Sequence, residues 1–272
     1  MSRIGLVGAG RMGLPIARRL AAAGHEVTAL ARTDDARERL TAAGIEAVAD
    51  IGEVADAAAD LLLVVVLTDE QVREICLTGP LPERIRQGAT LVIHTTGSPR
   101  TTQDIAAALE PRGVTVVDAA VSGGPHNIAA GDLTLFVGGP AGIVDALSPV
   151  LSAYADPIIY AGTQGAGQCV KLVNNALFTA QIGAVRAAVE LGGRLGVQEQ
   201  ALLSALPHAS SDSRALAGAA RRGSVEEFIG SVAEFVGKDI ATVRAVAAEL
   251  DADLGPLDPL ITYGCTTGQS AG

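Results

Sequence analysis

The stretch RIGLVGAGRMGLPIARRL, Arg3 to Leu20, decides the fold. It opens on an apolar run that reads as a buried strand, breaks at three glycines spaced G-x-G-x-x-G (Gly8, Gly10, Gly13), and continues in a helix-like segment. Each glycine has its own reason. Gly8 permits the tight turn, Gly10 lets a pyrophosphate approach the backbone, and Gly13 lets helix and strand pack closely with the helix N-terminal amides aimed at the anion. A chain with 32 glycines can produce this spacing by chance, so it is the placement between strand and helix that carries the inference. Ala9, Arg11 and Met12 complete the candidate cofactor loop.

Working outward, strand-like runs recur at Glu26 to Ala31, Leu61 to Leu67, Thr90 to Thr95, from Val114, at Leu133 to Gly139 and at Asp156 to Gly162. Most are separated by helix-like segments. Continuous Val/Leu/Ile runs joined by helical crossovers predict a parallel sheet buried on both faces, an α/β doubly wound architecture. Beyond Gly162 the strand signals stop and the remainder reads as all helical. We therefore expect a dinucleotide-binding domain over 1–162 and a helical substrate and oligomerisation domain over 163–272. A long helix from about Gln168 to Leu195, about 42 Å at 1.5 Å per residue, should join them.

Composition narrows the partners. With 272 residues, 49% hydrophobic and 18% charged, the chain has the material for a large core. A formal charge of -10 argues against nucleic acid or an anionic membrane surface and for a small-molecule ligand. Cys76, Cys169 and Cys265 lack metal-ligand or disulfide-framework spacing, so no metal is expected and a reducing compartment is. Met1 leads into the first strand without a signal-peptide core, and LLLVVVL is far too short to span a bilayer, which points to the cytoplasm.

The end of the second strand should select the cofactor, because an acid there bonds the ribose hydroxyls of NAD while an arginine accommodates the 2'-phosphate of NADP. The residues are ALARTDD, with Arg32 and Thr33 at the strand end and no acid before them. NADP(H) is favoured over NAD(H). Asp34 and Asp35 oppose the preference unless one of them serves as the helix N-cap.

Two further stretches carry chemistry. In DAAVSGGPHN, Ser122, Gly123 and Gly124 follow a strand end, where a hydroxyl and converging N–H groups could clamp a carboxylate or simply make a turn. In GAGQCVKLVNNALF, Lys171, Asn174, Asn175 and Phe178 fall at i, i+3, i+4 and i+7, one stripe of a helix. Of 20 cationic residues, only Lys171 and Lys238 are lysine. A desolvated lysine can exchange a proton near neutral pH, whereas arginine stays charged.

Four motifs in order, GLVGAGRMGLPIARRL, DAAVSGG with AAGDLTLFVGG, GAGQCVKLVNN and VGKDIATVRA, resemble the β-hydroxyacid dehydrogenase family over about Arg3 to Ala245. The resemblance implies a Rossmann domain followed by a helical domain, and a homodimer or homotetramer formed through the helical domains. It implies Lys171 as the catalytic lysine, Ser122, Gly123 and Gly124 as the carboxylate turn, and Asn175, with Asn174 beside it, as substrate-holding. Lys238, with Asp239, matches a pair near both nicotinamide and substrate. Leu67, Thr68 and Thr96 match cofactor positions.

The chain departs from the family in places. Thr68 replaces a usual proline, His94 stands where an Asp often opens the cofactor segment, and His126 and Asn127 occupy substrate-selecting positions. The C-terminal ITYGCTTGQSAG stops short of the family's last helix, so closure or subunit packing is expected to differ. The expectation is a hydride-transferring oxidoreductase acting on a small, carboxylate-bearing β-hydroxyacid or its semialdehyde or keto acid. Its rivals are an imine reductase on the same scaffold, a group that usually lacks this lysine, and a non-catalytic NADP(H)-binding sensor.

Overall fold

The structure, a computed structural model, describes residues 1–58 and 60–265. The end of the C-terminal stretch, residues 266–272, lies outside them, and with it the expectation about the tail. The chain divides into two compact units, Met1–Lys171 and Leu172–Gly272.

The first unit is built on an eight-stranded sheet. Its strands are β1 Arg3–Val7, β2 Glu26–Leu30, β3 Glu46–Val48, β4 Leu61–Val64, β5 Thr90–Ile93, β6 Thr115–Ser122, β7 Leu133–Gly138 and β8 Ala155–Gly162. They lie in the order β3-β2-β1-β4-β5-β6-β7-β8. From β3 to β6 every pairing is parallel. The side chains of these strands alternate between two cores. Leu61 and Leu63 pack on one face with Ile4, Leu6 and Val117, and Leu62 and Val64 pack on the other with Leu91, Ile93 and Val116. Burial on both faces is why these strands read as unbroken aliphatic runs. At Gly5 a Cβ would stand 2.7 Å from Ala58 Cβ and from Leu62 Cδ1, so only glycine lets this layer close.

Two features depart from the sequence reading. The sheet is not wholly parallel: β7 runs antiparallel to β6, pairing Ser122 with Thr134 and Asp118 with Gly138. Only Gly123 to Asp132 connects them, and although it holds a short helix, Pro125–Ala130, the connection is too short for the crossover a parallel pairing requires. The edge strand β3, EAV, also went unread, being three residues long and half-exposed.

Among its described residues the second unit has helices and no strand, continuing the long helix Ala166–Arg194 and adding Arg214–Arg222, Val225–Glu249 and Leu257–Cys265 among others. Leu172, Ala176, Ala180 and Ile182 of the long helix pack against Leu216, Phe228, Ile240 and Ile261. Its backbone comes close to the Leu257–Cys265 helix, since a Cβ on Gly264 would lie 2.8 Å from Gly183 N. Arg186 ties this layer together by pairing with Glu226 (2.8 Å), donating to the Tyr263 carbonyl (3.1 Å) and lying over the Tyr263 ring. No helix among the described residues is long and apolar enough to cross a membrane.

Candidate active site

Parallel pairing brings the carboxyl ends of β1, β4 and β5 to one edge, with Val7 beside Val64 and Val64 beside Ile93. The glycine loop sits there. Gly8 adopts φ +107°, a conformation that disfavours any side chain, and a Cβ on it would run into the Val65 backbone. A Cβ on Gly13 would collide with the Gly8 carbonyl, so that glycine sets the strand-to-helix distance. A Cβ on Gly10 would meet nothing within 4 Å, so the loop is open at the position where a pyrophosphate approaches. The helix Gly13–Ala22 begins at Met12 with no side-chain cap and no acid in its first turn, leaving its positive end for an anion. Ala9 and Met12 pack on the core beneath, while Gly10 and Arg11 are exposed. These residues fit a dinucleotide cofactor. The opposite edge of the sheet has a surface cavity lined by Arg3, His25, Glu26, Thr28 and Glu46, away from this loop.

At the end of β2, Arg32 is exposed and Thr33 is the N-cap of the helix Asp34–Thr41, its hydroxyl accepting from Ala36 N–H at 3.2 Å. The cap is therefore neither Asp34 nor Asp35. Asp35 instead pairs with Arg39 at 2.7 Å, which offsets the charge that would oppose a 2'-phosphate. Beyond β4, Leu67 is 63% exposed at the cofactor edge. Thr68 replaces the expected proline for a local reason. Its hydroxyl accepts from Gln71 N–H (3.3 Å) while Gln71 Oε1 accepts from Leu67 and Thr68 N–H, a capping box.

The loop after β5 is braced from several sides. Thr95 Oγ1 bonds both the N–H and the carbonyl of Val66, each at 3.0 Å. Asp69 accepts from Ser98 N–H (3.3 Å) and Thr101 Oγ1 (2.6 Å), and burial raises its pKa. Thr96 is half-buried in this loop. His94 is 1% exposed and lies between the Ala119 carbonyl (2.6 Å) and Tyr154 Oη (2.9 Å). Since a carbonyl can only accept, Nδ1 carries the proton and Nε2 accepts from the tyrosine. Burial lowers the imidazole pKa to about 4, so the ring is neutral. The residue in the place of the family's Asp is thus a core fastener between β5, β6 and Tyr154.

Sequence reasoning passed over Asp118 and Gln168. Asp118, on β6 and fully buried, accepts from the N–H of Gly165 (2.6 Å) and of Gln168 (2.8 Å), at the start of the long helix. Burial raises its pKa to about 6 against the lowering effect of these amides. Gln168 is 1% exposed and reaches back to the loop after β5, accepting from Gly97 N–H (3.0 Å) and donating to the Thr95 carbonyl (2.8 Å). The available signal was a charge inside an apolar strand and a glutamine directly after the helix-start glycines Gly165 and Gly167.

Of the lysine stripe, Lys171 is 9% and Asn175 5% exposed, with Asn174 half-buried. Asn174 Nδ2 donates to Asn175 Oδ1 at 3.3 Å, while the buried Asn175 Nδ2 has no partner among the described residues. Phe178 packs into the helical core instead of serving the stripe. Lys238 is exposed on the helix Val225–Glu249.

The Ser122 turn differs in one respect from the expected clamp. Gly123 adopts φ +130°, but Gly124 N–H donates to Asn127 Oδ1 at 2.8 Å and is not open to a carboxylate. Asn127 therefore holds the turn, and the exposed His126 lies with its ring against Gly124. Ser122 is half-buried at the end of β6. Among the described residues, no cluster of three His, Cys, Asp or Glu could hold a metal.

Comparison with known proteins agrees with this geometry. Residues 3–162 match the family model of the NAD binding domain of 6-phosphogluconate dehydrogenase, and residues 165–257 that of NAD-binding of NADP-dependent 3-hydroxyisobutyrate dehydrogenase. An NAD-dependent L-serine dehydrogenase of Pseudomonas aeruginosa is 31% identical over 79% of this chain and 72% of its own. A probable 3-hydroxyisobutyrate dehydrogenase of Mycobacterium bovis is 32% identical over 78% of this chain and 71% of its own. The solved 3-hydroxyisobutyrate dehydrogenase of Mycobacterium tuberculosis, with L-serine, superposes with a TM-score of 0.85 at 25% identity, covering 97% of this chain and 92% of that one. With a glycine loop shaped for a dinucleotide and family matches on both sides of Gly162, the chain belongs to the 3-hydroxyisobutyrate dehydrogenase family of NAD(P)-dependent hydroxyacid dehydrogenases.

Proposed function

We propose that the protein is a cytoplasmic, NADP(H)-preferring oxidoreductase interconverting a small β-hydroxyacid and its semialdehyde or keto acid, with Lys171 as proton donor or acceptor. The observation that carries this reading is a buried lysine one helical turn before a buried carboxamide, Asn175, whose Nδ2 has no protein partner among the described residues. A donor left unmet in a protein interior is costly unless a ligand meets it.

Gly8 to Gly13 would hold the pyrophosphate, Arg32 and Thr33 the 2'-phosphate, and Leu67, Thr68, Thr96 and Lys238 the remainder of the cofactor. When bound, the nicotinamide supplies or takes up the hydride. Lys171 gives its proton to the carbonyl oxygen in reduction and takes the hydroxyl proton in oxidation, a task open to lysine and closed to arginine. Asn174, by donating to Asn175 Oδ1, leaves the buried Asn175 Nδ2 as the end that would hold the substrate oxygen. Ser122 Oγ and Gly123 N–H fix the carboxylate, and Gly124 contributes the shape of the turn that Asn127 maintains. Unpaired cysteines at 76, 169 and 265 suit a reducing compartment. The exposed Val173, Leu177 and Leu191 on the long helix, with Leu195 in the turn after it, support self-association of the helical unit as a homodimer or homotetramer.

The test is a panel of β-hydroxyacids, semialdehydes and cyclic imines run with NADPH and NADH in parallel, for the wild-type protein and Lys171→Ala. Turnover of hydroxyacids should fall by at least about a hundredfold in the variant, with NADPH binding retained. Full activity in Lys171→Ala overturns the mechanism. Turnover of imines alone favours an imine reductase, and tight NADPH binding with no turnover favours a sensor.

A further inference from the structure

The Gln168 carboxamide behaves as a piece of backbone. One end accepts from Gly97 N–H at 3.0 Å and the other donates to the Thr95 carbonyl at 2.8 Å, as a neighbouring strand would. The residue's own N–H is on Asp118 Oδ2 at 2.8 Å, beside Gly165 N–H on Oδ1 at 2.6 Å, so the base of the side chain is fixed to β6. The carboxylate between them fits because Gly138 and Gly167 leave room: a Cβ on either would lie 2.5 Å from Oδ1 or 2.8 Å from Oδ2 respectively. Three residues after Gln168, on the same side of the helix, comes Lys171. The segment that Gln168 grips, Thr95 to Gly97, already leans on Val66 through the Thr95 hydroxyl.

We propose that Gln168 is a positioning residue: it locks the cofactor segment Thr95–Gly97 to the helical turn that carries Lys171, so one carboxamide sets both groups in register. The inference rests on the catalytic reading of Lys171 given above. Only a group with an acceptor and a donor side by side can perform this role. A carboxylate keeps the acceptor for Gly97 N–H and faces the Thr95 carbonyl with a second acceptor. A neutral carboxylic acid restores the pair, since its O–H donates to Thr95 and its C=O accepts from Gly97.

That chemistry supplies the experiment. Gln168→Glu and Gln168→Leu are compared with the wild-type protein in three measurements: turnover from pH 8.5 to 5.5, NADPH affinity by fluorescence titration, and amide hydrogen exchange of residues 95–98 corrected for intrinsic rates. At pH 8 we expect kcat to fall tenfold or more in both variants, NADPH affinity to change less than about threefold, and exchange at 95–98 to quicken, because small misplacements of reacting groups carry large rate penalties. As pH falls, the turnover of Gln168→Glu relative to wild type should recover together with protection at 95–98, while Gln168→Leu shows no recovery. A pH-independent ratio for Gln168→Glu, or unchanged exchange in both variants, overturns the proposal. Should Gln168→Leu fail to fold, the pH dependence of Gln168→Glu decides alone. If the wild-type protein turns over no substrate, it is the reading of Lys171 that fails, and the clasp is still judged by exchange and its recovery in Gln168→Glu.

Discussion

Asp118 Oδ1 accepts the Gly165 N–H at 2.6 Å, joining two residues 47 positions apart and tying a buried strand to the start of the helix that carries Lys171. One residue along β6, the Ala119 carbonyl accepts a hydrogen bond from His94 Nδ1–H. Two buried titratable groups thus meet adjacent positions of β6, Asp118 as its own residue and His94 through the Ala119 carbonyl, with pKa values displaced in opposite directions, Asp118 up to about 6 and His94 down to about 4.

Their effects on stability oppose each other. Asp118 is raised above 3.8, so its contribution is fully present at low pH and is lost as pH rises through about 6. His94 is depressed below 6.5, so its contribution is present above that value and is lost as pH falls toward about 4. Each amounts to roughly 3 kcal/mol at about 1.4 kcal/mol per pH unit, and over the shared window they largely cancel. In Asp118→Asn only the histidine remains. The stability deficit of this variant relative to wild type should therefore widen as pH falls from about 6 to about 4, measured by urea denaturation at each pH. A constant deficit across that range would show that Asp118 ionises as it does in water.

The three loop glycines should separate in mutagenesis. Gly8→Ala and Gly13→Ala place a methyl group against backbone atoms, and at Gly8 also strain φ +107°, so both should lose stability. Gly10→Ala meets open space, so its melting temperature should stay near wild type while NADPH affinity falls tenfold or more. Equal affinity for NADPH in Gly10→Ala and wild type would remove the pyrophosphate from this loop.

Arg32 should govern the choice between the two nicotinamide cofactors. With Thr33 occupied in capping and Asp35 paired to Arg39, Arg32 is the cation at this strand end left to face a 2'-phosphate. Arg32→Ala should raise KM for NADPH about tenfold and leave KM for NADH within about twofold, the loss of one charge-assisted phosphate contact. Parallel KM determinations decide it, and an equal effect on both cofactors would place Arg32 outside the site.

The sheet was legible because burial on both faces writes continuous aliphatic runs, and the glycine loop because its spacing falls between strand and helix. What the sequence concealed follows a pattern. The reversal of β7 depends on the length of one connection, and β3 is too short to carry periodicity. The roles of Asp118 and Gln168 depend on partners 47 and 71 residues away, which no local spacing records. Conversely, Asn127 and Thr33, which read as ligand contacts or turn residues, also serve as local fasteners, a role that spacing did not reveal, because short polar side chains readily bond nearby backbone.

Asn175 sharpens the distinction between residues kept for stability and residues kept for function. Its Oδ1 accepts from Asn174 at 3.3 Å, but its buried Nδ2 donates to no described residue, so the fold bears an unmet donor. Leucine has a similar volume and no such donor. Asn175→Leu should therefore melt at or above the wild-type temperature, since removing an unsatisfied polar group offsets the lost contact with Asn174. Its turnover should fall by at least about a hundredfold, as for loss of a donor that orients the reacting oxygen. Calorimetry and steady-state kinetics on the same preparation make the comparison. A variant that keeps its activity and loses stability would make Asn175 a structural residue and return the helix face to Lys171 alone.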